Sequence, residues 1–137
     1  VPGIDAGIDE CLLEVMRLPG ARGAALVDWT SGLTLGTVGD PPGGDQEAAA
    51  VEAAELARLA AEQHTFAPDP GGGTPDGDDP PVEDLIISNR DSYHLLRFMG
   101  TSFDSSVCLH LWLARADGNL ALARIRLGEM AGRLVLG

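Results

Sequence analysis

The stretch from Asp45 to His64, DQEAAAVEAAELARLAAEQH, contains no glycine, no proline and one β-branched residue, Val51. The rest is mostly Ala, Glu, Leu, Gln and Arg, which lose little side-chain freedom in a helix. Asp45 is placed to cap the first turn, and Glu47 puts negative charge where the helix dipole favours it. At 100° per residue Glu47, Glu55, Arg58 and Glu62 fall on one stripe. Ala48, Ala49, Ala50, Ala53, Ala54, Leu56, Ala57, Leu59, Ala60 and Ala61 occupy the remaining circumference. That apolar arc is wider than one packing face requires. The expectation is a helix that lies on a sheet and also lets a second backbone approach, the second surface belonging to another subunit.

Size and charge limit what can surround this helix. The 137 residues suit one domain with one core. A net charge of -12 opposes nucleic acid, which requires clustered Lys and Arg, and equally an anionic membrane surface. It favours a basic patch on a partner. All nine basic residues are Arg. Without a lysine the chain has neither a Walker A loop nor a lysine Schiff base. Cys11 and Cys108 form no CxxC and read as small, reduced core residues. No signal peptide and no apolar run of ~18 residues is present, so a cytoplasmic chain without membrane insertion is expected.

Taken in order, Ile4, Ile8, Cys11, Leu12, Val15 and Leu18 recur at helical spacing, predicting a helix over Asp5 to Arg17 that Pro19-Gly20 stops. Arg22 to Trp29 and Leu33 to Val38 predict a hairpin, with Gly32 in the turn. The alanine-rich helix follows a GDPPGG loop. Thr65 to Pro81 is rich in Pro, Gly and Asp and is expected to be a flexible loop insertion. Glu83 to Ser88, Ser92 to Met99 and Ser106 to Ala114 predict three more strands. The last is apolar on both faces and reads as central. Asp117 is expected to cap a closing helix. The predicted fold class is α+β: one domain over 1–137, a five-stranded mainly antiparallel sheet flanked by three helices, in the order α-β-β-α-β-β-β-α. No βαβ alternation supports a dinucleotide-binding unit.

This order resembles the roadblock/LC7 domain of the longin- and profilin-like class, particularly its bacterial, actinobacterial-type branch. Three stretches carry the resemblance: Arg22-Gly23-Ala24-Ala25-Leu26-Val27 with Ser31-Gly32-Leu33, the helix from Glu47 to Glu62, and Asn119-Leu120-Ala121-Leu122-Ala123-Arg124 after a buried strand. Thr30-Ser31-Gly32 stands where Asp-Gly-Leu is more usual. The loop before the third strand looks like an insertion beside the edge used for dimerisation. The resemblance implies a non-catalytic regulatory scaffold with no cofactor. Such domains pair third strands edge to edge and central helices side by side, with themselves or with a paralogous roadblock subunit. The dimer is a platform for a small Ras-like GTPase. Similar bacterial proteins are encoded beside such a GTPase and a sensor kinase. On this geometry Ala50, Ala54, Ala57, Ala61, Leu85 and Ile87 are the expected dimer contacts. Glu47, Val51, Glu55, Arg58 and Glu62 are the expected partner surface.

Residue chemistry offers no competing site of comparable weight. His64, His94 and His110 are scattered over a helix end and two strands, although His94 and His110 can meet on neighbouring strands. No G-x-S-x-G or triad pattern appears. Glu83 with Asp84, and Asp78 with Asp79, read as solvated charges. Asn119 is expected to bond the preceding loop and Arg124 an acidic neighbour. The alternative function is a PAS-like small-molecule sensor, which shares a five-stranded sheet plan but requires an internal polar pocket.

Overall fold

The computed structural model describes residues 4–69, 82–99 and 106–136. Its elements are α1 (Ile4–Val15), β1 (Ala21–Asp28), β2 (Leu33–Gly39), α2 (Gln46–Glu62), β3 (Asp84–Ser88), β4 (Ser92–Met99), β5 (Val107–Ala114) and α3 (Leu120–Leu136). Their kinds and order are those expected. Most of the expected 65–81 loop, from residue 70 onward, lies outside the described residues; its first part includes a single 3₁₀ turn, His64–Phe66.

The five strands form one sheet in the order β2-β1-β5-β4-β3, with every neighbouring pair antiparallel. β5 is central, as its two apolar faces require. Leu109, Leu111 and Leu113 are fully buried beneath Ile8, Leu12 and Val15 of α1 and Ala123, Leu127 and Met130 of α3. Cys108, on the opposite face, joins Ala25 and Val27 of β1, Phe98 of β4 and Ala50, Ala54 and Ala57 of α2. The period-two alternation of the strands therefore divides the interior into two layers. The sheet ends in two edge strands, β2 and β3.

Local chemistry sets the boundaries. The Asp45 carboxylate accepts from the N–H groups of Glu47 and Ala48 at 3.1 and 3.2 Å, capping α2. Asp45→Ala leaves these donors to water and is expected to cost about 1 kcal/mol, read as a lower urea midpoint at unchanged slope. In the β1–β2 turn the Asp28 carboxylate accepts from the Thr30 N–H and hydroxyl at 2.9 and 2.7 Å. Burial alone would raise this carboxyl. The hydrogen bonds from Thr30, Ser31 and Ser106 outweigh it and hold the group below its ordinary range. Gly32 takes φ +78° in that turn, as anticipated.

One expected cap is corrected. Asp117 lies in a turn closed by the Gly118 N–H donating to the Ala114 carbonyl at 2.8 Å. α3 begins two residues later, where Asn119 accepts from the Leu122 N–H at 3.0 Å. Asn119 thus serves its own helix and not the preceding loop. Arg124 meets an acidic neighbour as expected: its Nε lies 2.8 Å from Asp84 Oδ2, tying α3 to β3. Asp84 is accordingly an ion-pair partner, not the freely solvated charge that the sequence suggested.

Candidate docking surface on the central helix and the free sheet edge

α2 lies across β1, β2 and β4. Ala49, Ala50, Ala53, Ala54 and Ala57 are all buried on its inner side. Methyl side chains let the helix approach Ala25 and Val27 closely. Ala50, Ala54 and Ala57, placed by the sequence in a dimer interface, are thereby covered by this chain's own sheet. Ala61 is half-buried against the same cluster. Ala50, Ala54 and Ala57 are thus committed to packing within the subunit, whereas Ala61 keeps part of its surface open. The open side of α2 carries Val51, Leu56 and Leu59, which are 54%, 39% and 55% exposed.

Of the expected partner surface, Glu47, Val51, Glu55 and Glu62 are exposed and Arg58 is half-buried. Glu52 is exposed as well. It was not distinguished from the sequence, although it stands seven residues before Leu59 and so shares its stripe. Four glutamates and one arginine make this outer surface acidic.

β3 forms one border of the sheet. Leu85 and Ile87 oppose Leu96 and His94 of β4, so all four side chains point to the face on which α2 lies. Leu85 is half-buried and Ile87 is 38% exposed. An apolar residue exposed on an edge strand is a pairing site unless something covers it.

Beside Ile87 the structure gathers a cluster that the sequence only hinted at. His94 Nδ1 lies 2.9 Å from His110 Nε2. The His94 ring stacks on Trp112, with centroids 6.2 Å apart and planes 11° from parallel. The Arg22 guanidinium sits over the other part of the stack, 3.7 Å from the Trp112 ring centroid. Burial lowers the pKa of both imidazoles, and for His110 burial and then the neighbouring His94 push it down to about 4. Both rings are neutral at pH 7. The crevice between this cluster and the β2–α2 connection is bordered by Gly23, Asp40, Gln46, His110 and Trp112. It has room for about one water molecule, far below what a small-molecule sensor needs.

Other reactive groups are placed conservatively. The Cys108 thiol is buried and pushed up to about 12, first by burial and then by Asp28, so it is not a nucleophile. Among the described residues no three His, Cys, Asp or Glu side chains are gathered to hold a metal ion. Nor, among them, is any helix long and apolar enough to cross a membrane.

Neither a family model nor a curated protein matches the chain. Solved structures do. Myxococcus xanthus MglB superposes with a TM-score of 0.75 at 14% identity, covering 96% of this chain and 86% of that one. A roadblock/LC7 domain from Streptomyces avermitilis superposes at 0.68 with 16% identity, covering 92% of each chain. The chain has the roadblock/LC7 fold. A further structure with this fold, an MglB with tetrameric arrangement, has a TM-score of 0.69 at 18% identity over 96% of this chain and 87% of that one. In roadblock/LC7 terms, α2 is the central helix and β3 the third strand.

Proposed function

We propose that this roadblock/LC7 fold is a non-catalytic regulatory scaffold. It associates through β3 and the open side of α2, with a second copy or a paralogous subunit, and binds and modulates a small Ras-like GTPase. The observation that carries the reading is the set of large apolar residues left exposed on these two elements. Leu56 and Leu59 are exposed on α2, and Ile87 is exposed on the β3 edge, pointing to the sheet face on which α2 lies. MglB with tetrameric arrangement is a self-associating neighbour in fold. The GTPase is the partner that the roadblock/LC7 resemblance implies. The scaffold works in the cytoplasm and needs no cofactor, its contribution being shape and charge.

The outer surface of α2 carries Glu47, Glu52, Glu55 and Glu62 against Arg58. It suits a GTPase with a basic contact patch. The test is calorimetric titration of the chain with a small GTPase encoded beside it, loaded in turn with GDP and a GTP analogue. The double variant Glu55→Lys/Glu62→Lys is expected to weaken binding at least about tenfold, a loss of about 1.4 kcal/mol. Its mass in solution stays that of the parent. A GTPase that binds parent and variant equally well, or neither, sinks the partner assignment. A variant that loses self-association instead places this stripe between the subunits.

A further inference from the structure

The strand register sets a neutral histidine pair beside the β3 edge, which carries no further strand among the described residues. His94 is the direct cross-strand neighbour of Ile87 on one side and of Trp112 on the other. A chain that pairs with β3 and packs on its α2 face runs alongside this imidazole. The histidines are not consumed by the proposed docking of a GTPase on the outer surface of α2. They belong to the sheet.

The charges around the pair can be named element by element. β1 contributes Arg22, a fixed cation stacked on Trp112. β5 contributes His110 and the uncharged Trp112. β3 contributes Leu85 and Ile87, neither of them charged. The β2–α2 connection contributes Asp40, which borders the crevice beside His110, and α2 contributes the neutral Gln46 at the same crevice. The first turn of α2 is capped by the Asp45 carboxylate, which accepts from the N–H groups of Glu47 and Ala48 and so offsets the positive end of the helix dipole. A cation therefore already stands over Trp112, and Asp40, whose N–H donates to the Arg22 carbonyl, borders the crevice on the same side.

The 2.9 Å contact holds one hydrogen between Nδ1 of His94 and Nε2 of His110. One added proton keeps that hydrogen bond but charges the pair. A second leaves two donors facing each other. Solvent reaches half-buried His94 in the isolated chain and can stabilise its charge. A covering subunit removes that water, and a charge formed there then opposes association.

We propose that the Arg22–Trp112–His94–His110 cluster is covered by a second copy of this chain, and that the imidazole pair makes self-association acid-sensitive. The inference rests on the reading of β3 and α2 as the association surface. Its sign is diagnostic. The chain carries a net charge of -12, so acid reduces repulsion between copies and by itself tightens association. The histidine gate acts in the opposite direction. Covering lowers the His94 pKa further. Burial already holds His94 below the ordinary histidine value in the free chain, so association is undiminished at neutral pH and is lost as pH falls below that lowered value.

The test is light scattering of the full chain over a concentration series at pH 7.5 and 5.5, with circular dichroism at each pH to verify the fold. The parent is expected to associate at pH 7.5, with a dissociation constant at least about tenfold larger at pH 5.5, one pKa unit of coupling being tenfold. His94→Gln keeps a neutral donor and acceptor at every pH, and its association is expected to hold or tighten in acid. Equal or tighter association of the parent at pH 5.5 overturns the gate and leaves the association reading standing. So does an undiminished acid weakening in His94→Gln. A parent monomeric at pH 7.5 overturns both. If His94→Gln does not fold, NMR titration of His94 in the parent decides. Its pKa is expected to fall as concentration drives association, and a concentration-independent value overturns the gate.

Discussion

Replacing Ile87 by Arg is expected to reduce the proposed dimer to a monomer without unfolding the chain. Ile87 is 38% exposed, on a strand bonded on one side to β4 and forming the sheet edge on the other. The isolated subunit tolerates a long cation there, because its stem can lie along the sheet while the guanidinium stays in water. The proposed interface does not, since association strips that water from a charge with no designated partner. Light scattering is expected to give about twice the 14.2 kDa chain mass for the parent and the single mass for the variant, with matching circular dichroism. Removing a fully desolvated contact of this kind costs about 2–4 kcal/mol, enough to move a micromolar dimer out of the measurable range. A variant that stays dimeric removes β3 from the interface. The two exposed leucines of α2, Leu56 and Leu59, are then the next candidates.

Gly23→Ala is expected to be the most damaging single-methyl change to stability among those the fold suggests. Gly23 lies opposite Gly39 at the end of the β1–β2 ladder, and a Cβ on Gly23 would fall on the Asp40 carbonyl oxygen. The obstruction is backbone on both sides. The Asp40 N–H donates to the Arg22 carbonyl at 3.0 Å, which holds the chain tight as it leaves β2 for α2. No side chain can rotate away to relieve the contact. Overpacking of this sort costs about 3 kcal/mol. At roughly 4 °C per kcal/mol for a domain of this size, the melting temperature drops by about 12 °C. Gly7→Ala is the control. Nothing lies within 4 Å of its Cβ position on α1, and a helical Gly→Ala is expected to add about 0.5–1 kcal/mol. A Gly23→Ala melting temperature within 2 °C of the parent would mean that the β2–α2 connection yields more easily than its geometry implies.

Much of this arrangement was legible in the residues. The length of α2 and its Asp45 cap follow from composition and from one side chain of the right chemistry. β4 appears over the residues expected of it, because Ser92 to Met99 is bounded by turn-forming residues. The Asn89 side chain closes the preceding turn by accepting from the N–H groups of Asp91 and Ser92. The centrality of β5 is written in its unbroken apolar run. Arg124 was matched to an acidic neighbour in kind, though not to Asp84 by number.

The candidate surface was less legible, for identifiable reasons. An alanine-rich helix carries little contrast between its sides, so Ala50, Ala54 and Ala57 read equally well as outward contacts or as a lining for the sheet. Contact with Ala25, Val27 and Cys108 decided the matter. Asp117 and Asn119 are both competent caps, and the choice fell to the turn at Gly118. Arg22 and Trp112 lie ninety residues apart in the chain. Nothing in either segment announces that a shifted register between Ala21 and Gly23 places them face to face.

The sequence by itself determined which segments are helices and strands, where they begin and end to within a residue or two, and that the whole is acidic and lacks lysine chemistry. These properties depend on local entropy, capping and periodicity, which act over a few neighbouring residues. Only the tertiary structure decided which side of α2 is consumed, which apolar residues of α2 and β3 remain uncovered, and that two histidines share a hydrogen bond near the β3 edge. Those outcomes depend on strand order and register. Both arise from the simultaneous packing of distant segments and are encoded in no single stretch of the chain.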